Sequence, residues 1–265
     1  MDFNELSKIE NESERVNRTY DIFNEDARLN HSKAARVEFL TTVHYIEKYL
    51  KEGDKILDIG AGAGEYSLYF ARKGYEVAAL ELADANIAAF KKKLTPEDKI
   101  DLVQGNALDL SHYADKSFDI VLLFGPLYHL QNDPDKLKCI GEAKRVLKDC
   151  GKIFFAFISN DFVFLTEFGY DAEYFSNGDY DKETFKLGDF PFVFHTVGAA
   201  RKLLADGGIY VLHEVASDGA SELLASRINE MSDDDYKQYL RYHFYICEKP
   251  ELLGMTNHLL FVGKK

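Results

Sequence analysis

The sequence is poor in cysteine, has few basic residues for its number of acidic ones, and contains no long apolar run. The three cysteines, Cys139, Cys150 and Cys247, lie far apart. This spacing excludes a disulfide framework or a Cys-x-x-Cys metal knuckle and fits a reducing compartment. No stretch approaches the length of a membrane span, and the first residues lack the basic and apolar regions of a signal peptide. We therefore expect a soluble, cytoplasmic protein.

Acidic residues outnumber basic ones by 45 to 32, which gives a formal net charge of −13. Such a charge repels a phosphate backbone, and a nucleic-acid-binding protein would carry a basic stripe. The run Lys91–Lys93 is too short for such a stripe, and we expect it to face solvent at a helix end. The charge therefore favours a small-molecule partner, neutral or cationic, over nucleic acid or membrane. We expect the protein to act as a monomer or a homodimer.

A glycine-rich turn follows the first apolar run and indicates a cofactor site. Residues 55–64 read Lys-Ile-Leu-Asp-Ile-Gly-Ala-Gly-Ala-Gly, which predicts a strand, a tight turn and the start of a helix. Glycine permits positive φ angles and close approach of a ligand to the backbone, and the free N–H groups at a helix start point toward that ligand. The next apolar run ends in Glu81, where a carboxylate accepts hydrogen bonds from ribose hydroxyls. Together these features predict an adenosine-bearing cofactor.

The spacing of the glycines separates the possible cofactors. A dinucleotide fold requires Gly-x-Gly-x-x-Gly, which would place a glycine where this chain has Glu65. A carboxylate at that position would oppose the phosphates. A P-loop requires Gly-Lys followed by Ser or Thr, and the sequence after the turn does not supply it. A nicotinamide-dependent oxidoreductase on a similar sheet remains the alternative enzyme class.

The pattern Asp-x-Gly-x-Gly-x-Gly at residues 58–64 resembles motif I of the class I S-adenosylmethionine-dependent methyltransferases. The resemblance extends over residues 53–165 and again from residue 195 onwards. It implies an α/β fold, a doubly wound Rossmann-like sheet of seven mostly parallel strands whose last strand is antiparallel, with S-adenosyl-L-methionine as cofactor. The cofactor-binding positions that it implies are Asp58, Gly60, Ala61, Gly62, Gly64, Tyr66, Glu81, Leu82, Gly105, Asn106, Ala107, Phe124 and Gly125.

For two of these positions, Asn106 and Asp58, the sequence does not decide which contact the side chain makes with the cofactor. Members of the family usually carry Gly-Asp-Ala in the turn that holds adenine, whereas this chain has Gly105, Asn106 and Ala107. An Asn can still accept a hydrogen bond from the adenine amino group through its carbonyl oxygen, so the contact is kept without its charge. Asp58 either bonds the cofactor's ammonium group, directly or through water, or only pins the glycine turn.

The loop Gly125-Pro126-Leu127-Tyr128-His129-Leu130 corresponds in position to motif IV of the family. Enzymes that methylate the amino group of adenine carry Asn or Asp at the position of Gly125, and catechol-type enzymes need an Asp at this strand end to ligate a metal. Since this chain has neither, we expect no metal site. Tyr128 and His129 remain as candidate catalytic residues, and His195 is a further one. An imidazole can act as a base near neutral pH, but a purely structural role for His129 is equally open.

We expect a single domain in four parts. Residues 1–52 form an N-terminal helical cap with a candidate lid at residues 20–29, and residues 53–158 form the cofactor-binding half. Residues 159–194 lack a clear period and form a lid-like insertion, whose aromatic residues either line the pocket or bury a satellite core. Residues 195–265 complete the sheet. Candidate substrate-binding residues are Tyr20, Arg28, Tyr128 and Phe162.

The resulting hypothesis is an enzyme that transfers a methyl group by in-line displacement to a small-molecule acceptor. Because a sulfonium methyl is already activated, the protein's main task would be to align the reacting groups. Arg28 would meet a carboxylate of the cofactor or the substrate, or else lie solvated at the surface. The alternatives are the nicotinamide-dependent oxidoreductase and a protein that binds S-adenosylmethionine without transferring its methyl group.

Overall fold

A central sheet of eight strands organises residues 3–265, the part of the chain that the computed structural model describes. The strands are β1 (Lys55–Ile59), β2 (Glu76–Glu81), β3 (Ile100–Gln104), β4 (Phe118–Leu123), β5 (Leu147–Ser159), β6 (Phe194–His195), β7 (Tyr210–Ala216) and β8 (His258–Lys264). Their order across the sheet is β3-β2-β1-β4-β5-β8-β7, and the two-residue β6 pairs with β5. Neighbouring strands are parallel except that β8 runs antiparallel to both β5 and β7. The predicted fold is confirmed, with β6 as an addition to the seven expected strands.

Helices flank the sheet and connect its parallel strands. In the described chain they are α1 (Phe3–Leu6), α2 (Glu12–Ile22), α3 (Arg36–Glu47), α4 (Glu65–Arg72), α5 (Asp84–Lys93), α6 (Pro126–His129), α7 (Asp133–Val146), α8 (Asn160–Tyr170), α9 (Tyr174–Asn177), α10 (Val197–Asp206), α11 (Ala225–Asn229) and α12 (Asp233–Ile246). None of these described helices has the length and apolar character needed to cross a membrane.

The central strands are apolar on both faces because helices cover both sides of the sheet. Along β4, Ile120 and Leu122 contact the core formed with α3 and α4. Val121 and Leu123, which point the other way, contact the core formed with α7 and α10. This arrangement leaves the carboxyl ends of β1, β2 and β4 at one open edge, where the glycine turn, Glu81 and the loop after Leu123 come together.

Residues 159–194 contain regular structure that the sequence pattern did not predict. The segment holds α8 and α9, and the helical period of α8 is obscured because apolar side chains surround it. Phe162 and Phe164 are buried, whereas Leu165 and Phe168 on the same helix are exposed. The rings nearest Phe164 form a satellite aromatic cluster, made by Tyr174, Phe175, Tyr180 and Phe185, in which Phe175 and Phe185 are exposed.

The N-terminal segment lies over the open edge of the sheet. Helix α2 begins after Asn11, whose side chain accepts a hydrogen bond from the N–H of Glu14. It is tied down by polar side chains: Asn17 donates to Asp84 at 3.1 Å, and Ser13 accepts from Asn106 at 2.9 Å. Since these bonds lie at the exposed rim, α2 covers the edge without joining the hydrophobic core.

Candidate active site

The turn after β1 has a shape that only glycine fits well. Gly60, Gly62 and Gly64 have φ angles of +76°, +55° and +84°, a region that side chains disfavour. A Cβ on Gly60 would lie 2.9 Å from the carbonyl oxygen of Phe124, and one on Gly64 would lie 2.4 Å from the ring of Phe90. The turn therefore presents bare backbone, as the sequence predicts.

Glu81 holds this turn in place from the end of β2. Its carboxylate is 5 % exposed; Oε2 accepts from the N–H of Gly62 and Oε1 from the N–H of Ala83, both at 2.7 Å. Burial raises the pKa of Glu81, and the backbone N–H groups oppose that rise. Oε1 also accepts from the side-chain amide of Asn86 at 3.4 Å, whereas Oε2 keeps a further acceptor site, so Glu81 can hold the turn and still accept from a ribose hydroxyl.

One carboxylate oxygen of Asp58 has no hydrogen-bond donor among the described residues. Oδ2 accepts from the hydroxyl of Ser67 at 2.7 Å, whereas Oδ1 is buried and has no hydrogen-bond partner within residues 3–265. Burial raises the pKa of Asp58 to about 7, against the opposing effect of Ser67. The sequence left two roles open for Asp58. Glu81, and not Asp58, bonds the glycine turn. Oδ1 of Asp58 is therefore available for a donor that enters the site.

Three adjoining cavities, each lined by described residues, meet at this edge. The first, the adenine-side cavity, has a volume of about 60 Å³. Its lining includes several predicted cofactor residues, namely Gly60, Glu81, Leu82, Gly105, Asn106, Ala107 and Gly125. Asn106 also accepts from the N–H of Leu108 at 2.8 Å and donates to Ser13, so its amide is fixed in orientation.

The second cavity, the turn-side crevice, has a volume of about 40 Å³ and lies over the glycines. Asp58, Ala61, Gly62, Tyr66 and Phe124 contribute to its wall. Tyr66 is 8 % exposed and its ring stacks on Phe39. This crevice therefore brings together the remaining predicted cofactor residues except Gly64, which lies behind it against Phe90.

The third cavity, the acceptor cavity, is much larger, at about 680 Å³. Tyr20, Glu25, Arg28 and Tyr128 line both this cavity and the turn-side crevice, and Tyr20 also lines the adenine-side cavity. The predicted substrate residues Tyr20, Arg28 and Tyr128 therefore stand where the three spaces meet. A cavity of this size accommodates a small organic molecule.

His129 lies on the adenine side of this junction. Its Nε2 is 2.8 Å from the hydroxyl of Tyr20, and it lines the adenine-side cavity. Burial, and secondarily the charge of Arg15, lowers the pKa of His129 to about 4. The imidazole is therefore neutral at physiological pH and orients Tyr20. Tyr20 and Tyr128 keep their protons because burial raises the pKa of both phenols.

The other two predicted residues lie away from the junction. His195 is 5 % exposed, its ring contacts that of Phe157, and neither ring nitrogen has a partner in the described chain. Phe162 is 2 % exposed. Neither residue belongs to the lining of the three cavities.

A charged network on the wall of the acceptor cavity had no signal in the sequence. Arg28 donates to Glu25 and to Glu38, each at 2.7 Å. His258 Nδ1 lies 2.8 Å from Asp218 Oδ2 and 3.4 Å from Glu38 Oε2. Although burial opposes it, the charges of Glu38 and Asp218 raise the pKa of His258 to about 9. Because the residues of this network come from distant parts of the chain, no local sequence motif predicts it.

Comparison with known proteins agrees with this geometry. Residues 57–155 match a family model described as a methyltransferase domain. This segment of the chain is thus similar to a methyltransferase domain, which agrees with the resemblance of residues 58–64 to motif I. A demethylmenaquinone methyltransferase of Clavibacter sepedonicus is 34% identical over 120 residues, which cover 45% of this chain and 47% of the relative. The ubiquinone/menaquinone biosynthesis C-methyltransferase UbiE of Haemophilus ducreyi is 32% identical over 146 residues, covering 48% of this chain and 54% of the relative. The chain thus spans about half the length of each of these curated relatives.

Solved structures resemble this chain over nearly its whole length. The PH0226 protein of Pyrococcus horikoshii has a TM-score of 0.60 with 20% identity, over 93% of this chain and 98% of that chain. This likeness shows the shared fold. The match of residues 57–155 to a methyltransferase domain favours S-adenosylmethionine as the cofactor over the nicotinamide alternative.

The residues at the junction fit that cofactor. The unpartnered Oδ1 of Asp58 would accept from its ammonium group, and Oε2 of Glu81 would accept from a ribose hydroxyl. Gly60 and Gly62 keep the intervening backbone free of side chains. The adenine would lie beside Asn106, where the first cavity opens.

Proposed function

We propose that the protein transfers a methyl group from S-adenosylmethionine to a small-molecule acceptor bound in the acceptor cavity. The observation that carries the proposal is the junction: Tyr20, Glu25, Arg28 and Tyr128 line both the acceptor cavity and the turn-side crevice. An acceptor in the larger space would therefore lie next to the cofactor's reactive end. The bound cofactor supplies an activated sulfonium methyl group.

The chain's own residues then act mainly by placement. Asp58 and Glu81 fix the two ends of the cofactor's amino acid and ribose portion, and the bare turn lets it lie against the backbone. Tyr20 and Tyr128 border the meeting point as neutral phenols, which exclude water and offer hydroxyl groups to the acceptor. Alignment of this kind is worth on the order of 7 to 11 kcal/mol of barrier.

The loop after β4 supports transfer by positioning. Gly125 occupies the place where a side chain that holds a target nitrogen would stand, and α6 begins directly after it. Tyr128 is the residue of this loop that reaches the acceptor cavity, so we retain it as the first catalytic candidate. His129 acts on Tyr20, and His195 is a weaker candidate because it lies outside the cavity lining.

Binding of S-adenosylhomocysteine tests the cofactor half of the proposal. Calorimetry should give far tighter binding of S-adenosylhomocysteine than of NAD. Gly62→Asp should abolish it, because Gly62 has a φ of +55° and its Cβ would lie 3.3 Å from Glu25. Gly254→Asp is the matched control, since a Cβ there meets nothing within 4 Å. Equal binding of the two cofactors, or of wild type and Gly62→Asp, would reject the cofactor assignment.

Methyl transfer itself requires a separate measurement, because a protein that binds the cofactor without transferring the group would pass the first test. The protein is incubated with labelled S-adenosylmethionine and a panel of small amines, phenols, thiols and carboxylates, and products are detected by a mass increase of one methyl group. A product that depends on Asp58 supports the enzyme, whereas S-adenosylhomocysteine binding with no product from any acceptor class supports the binding protein. The net charge of −13 and the size of the acceptor cavity support a small molecule, rather than nucleic acid, as the acceptor.

A further inference from the structure

The lining of the acceptor cavity carries an excess of negative charge. Within the described chain six carboxylates line it, and no lysine does; they are Glu25, Glu38, Glu167, Asp179, Asp218 and Glu222. The basic side chains of the lining are Arg28, His31 and His258. An acceptor inside this cavity therefore experiences a negative field, which low-dielectric walls strengthen.

The two strongest cations of the lining are already neutralised by the protein. Arg28 is bound between Glu25 and Glu38 at 2.7 Å to each, and His258 is bound by Asp218 at 2.8 Å. The charge of His258 in turn lowers the pKa of Asp218 in spite of its burial. Neither cation is free to receive an acidic group of an acceptor, so this wall does not favour an anion.

Two further carboxylates of the lining have no cationic partner. Glu167, on α8, and Glu222 line the cavity, and no basic side chain in the described part of the chain lies within ion-pair distance of either one. Burial and then the charge of Glu222 raise the pKa of Glu167. Glu222 accepts from the hydroxyl of Tyr170 at 2.7 Å and from the amide of Asn257, which orient it without neutralising it.

Aromatic rings surround the same space. Eight of the described lining residues are Phe or Tyr, and Tyr170 and Tyr174 stand on the wall that carries Glu167. The faces of such rings attract cations, and their bodies provide apolar contact area. Carboxylates without a cationic partner, beside aromatic rings, form surroundings that suit an organic ammonium group.

We propose that the methyl acceptor is a cationic amine whose ammonium group binds to Glu167 and Glu222 in the acceptor cavity. This inference rests on the proposed function, because it assigns the chemical class of that function's acceptor. The ammonium group is the anchor on the α8 wall, and the opposite end of the molecule reaches the junction formed by Tyr20 and Tyr128. Charge and apolar surface thus both select the acceptor.

A divalent metal ion is the competing explanation for the acidic lining. Glu38, Asp218 and His258 present ligand atoms within 4.8 Å of one another. However, Arg28 already binds Glu38, and His258 holds its proton toward Asp218. A metal would have to displace both, and it would leave Glu167 and Glu222 unmatched. We therefore favour the amine and make the metal an outcome of the test.

Binding of matched probes tests the proposal. Phenethylamine, 2-phenylethanol and 3-phenylpropionate share a shape and differ in charge, and hexylamine, hexanol and hexanoate repeat the comparison without the ring. Calorimetry in the presence of S-adenosylhomocysteine should give binding of the amines about tenfold or more tighter than of the alcohols, with no binding of the carboxylates, because hydrogen bonds between charged groups are the strong ones. Equal affinity for amine and alcohol, or failure of both amines to bind, overturns the proposal.

Substitutions of Glu167 and Glu222 test whether these carboxylates bind the ammonium group. Glu167→Gln and Glu222→Gln should each weaken the amines about tenfold without changing the alcohols, and Glu167→Lys should admit the carboxylates. Glu251→Gln, at an exposed position outside the cavity, is the control. Loss of amine binding in Glu251→Gln as well, or retention in both cavity variants, contradicts the assignment, as does amine binding that appears only with added Mg²⁺.

The two proposals fail in different ways. S-adenosylhomocysteine affinity, measured in each variant, should stay at the wild-type value, since Glu167 and Glu222 lie outside the turn-side crevice. If amines bind selectively while S-adenosylhomocysteine does not bind, the cofactor assignment fails and the amine site stands. If S-adenosylhomocysteine binds and the amines show no preference over the alcohols, the acceptor assignment alone fails.

Discussion

Replacing Asp58 by Asn should make the free protein more stable and its cofactor site weaker. The carboxylate is 1 % exposed, with Oδ1 unpartnered among residues 3–265. Burial raises its pKa from an ordinary 3.8 to about 7. At about 1.4 kcal/mol for each pH unit, that difference corresponds to about 4 kcal/mol of destabilisation when the group is ionised. Asn fills the same space without a charge and should recover most of this free energy above pH 7.

The sign of the pH dependence follows from the direction of the shift. Between about pH 4 and pH 7 the folded protein keeps a proton on Asp58 that the unfolded chain has lost, so stability falls as pH rises through this window. Chemical denaturation at pH 5 and pH 8 should show Asp58 costing the wild type about 2.5 kcal/mol more at the higher pH, relative to Asp58→Asn. Identical pH slopes in the two proteins would refute this account of the site.

Cofactor binding should show the opposite dependence. An ammonium group that meets Oδ1 prefers the ionised carboxylate, so the affinity of the wild type for S-adenosylhomocysteine should rise by about tenfold for each pH unit below pH 7. Calorimetry of Asp58→Asn over the same range should give weak binding with no such rise. A variant that binds as tightly as the wild type at pH 8 would remove Asp58 from the ammonium site.

Two further predictions concern the surroundings of the site. Gly64→Ala places a Cβ against the ring of Phe90 and should lower the unfolding free energy by about 3 kcal/mol. Gly53 has a similar φ but open space around it, so Gly53→Ala should cost only about 1 kcal/mol. Equal losses of stability in thermal unfolding would contradict this prediction. The raised pKa of His258 should stabilise the fold fully below pH 6.5, by up to about 3 kcal/mol, and that stability should disappear as pH rises through 9. Asp218→Asn should reduce this dependence, and an unchanged pH profile would argue against the pairing.

The cofactor half of the site was predictable because its signals are local. The strand, the glycine turn and Glu81 lie within 27 positions of one another, from residue 55 to residue 81, and each glycine is required by the backbone of its own turn. The sheet order follows from such strand and helix alternation. The partner of the Gly62 N–H was not predicted, because the sequence assigned Glu81 to the ribose hydroxyls and offered only Asp58 as a residue that pins the turn, whereas Glu81 holds it.

The sequence contained weaker signals for the acceptor cavity, because the residues that line it are far apart in the chain. Glu38 lies on α3, Asp218 follows β7 and His258 begins β8, so only the finished sheet brings them within hydrogen-bond distance. Apolar side chains occupy most faces of α8. One face packs against the domain, and another contacts the satellite aromatic cluster around Phe164. A periodicity argument cannot identify such a helix, and the sequence therefore predicted an irregular insertion.

The protein's own Glu81 accepts the hydrogen bond from the Gly62 N–H and so holds the glycine turn. The site is thus preorganised, because the loop does not have to search for its bound shape when a nucleoside arrives. Little conformational entropy is then lost on association, and the free energy of the new contacts goes directly into affinity. In the proposed function, selectivity can consequently reside at the other end of the ternary complex, with the molecule that would receive the methyl group.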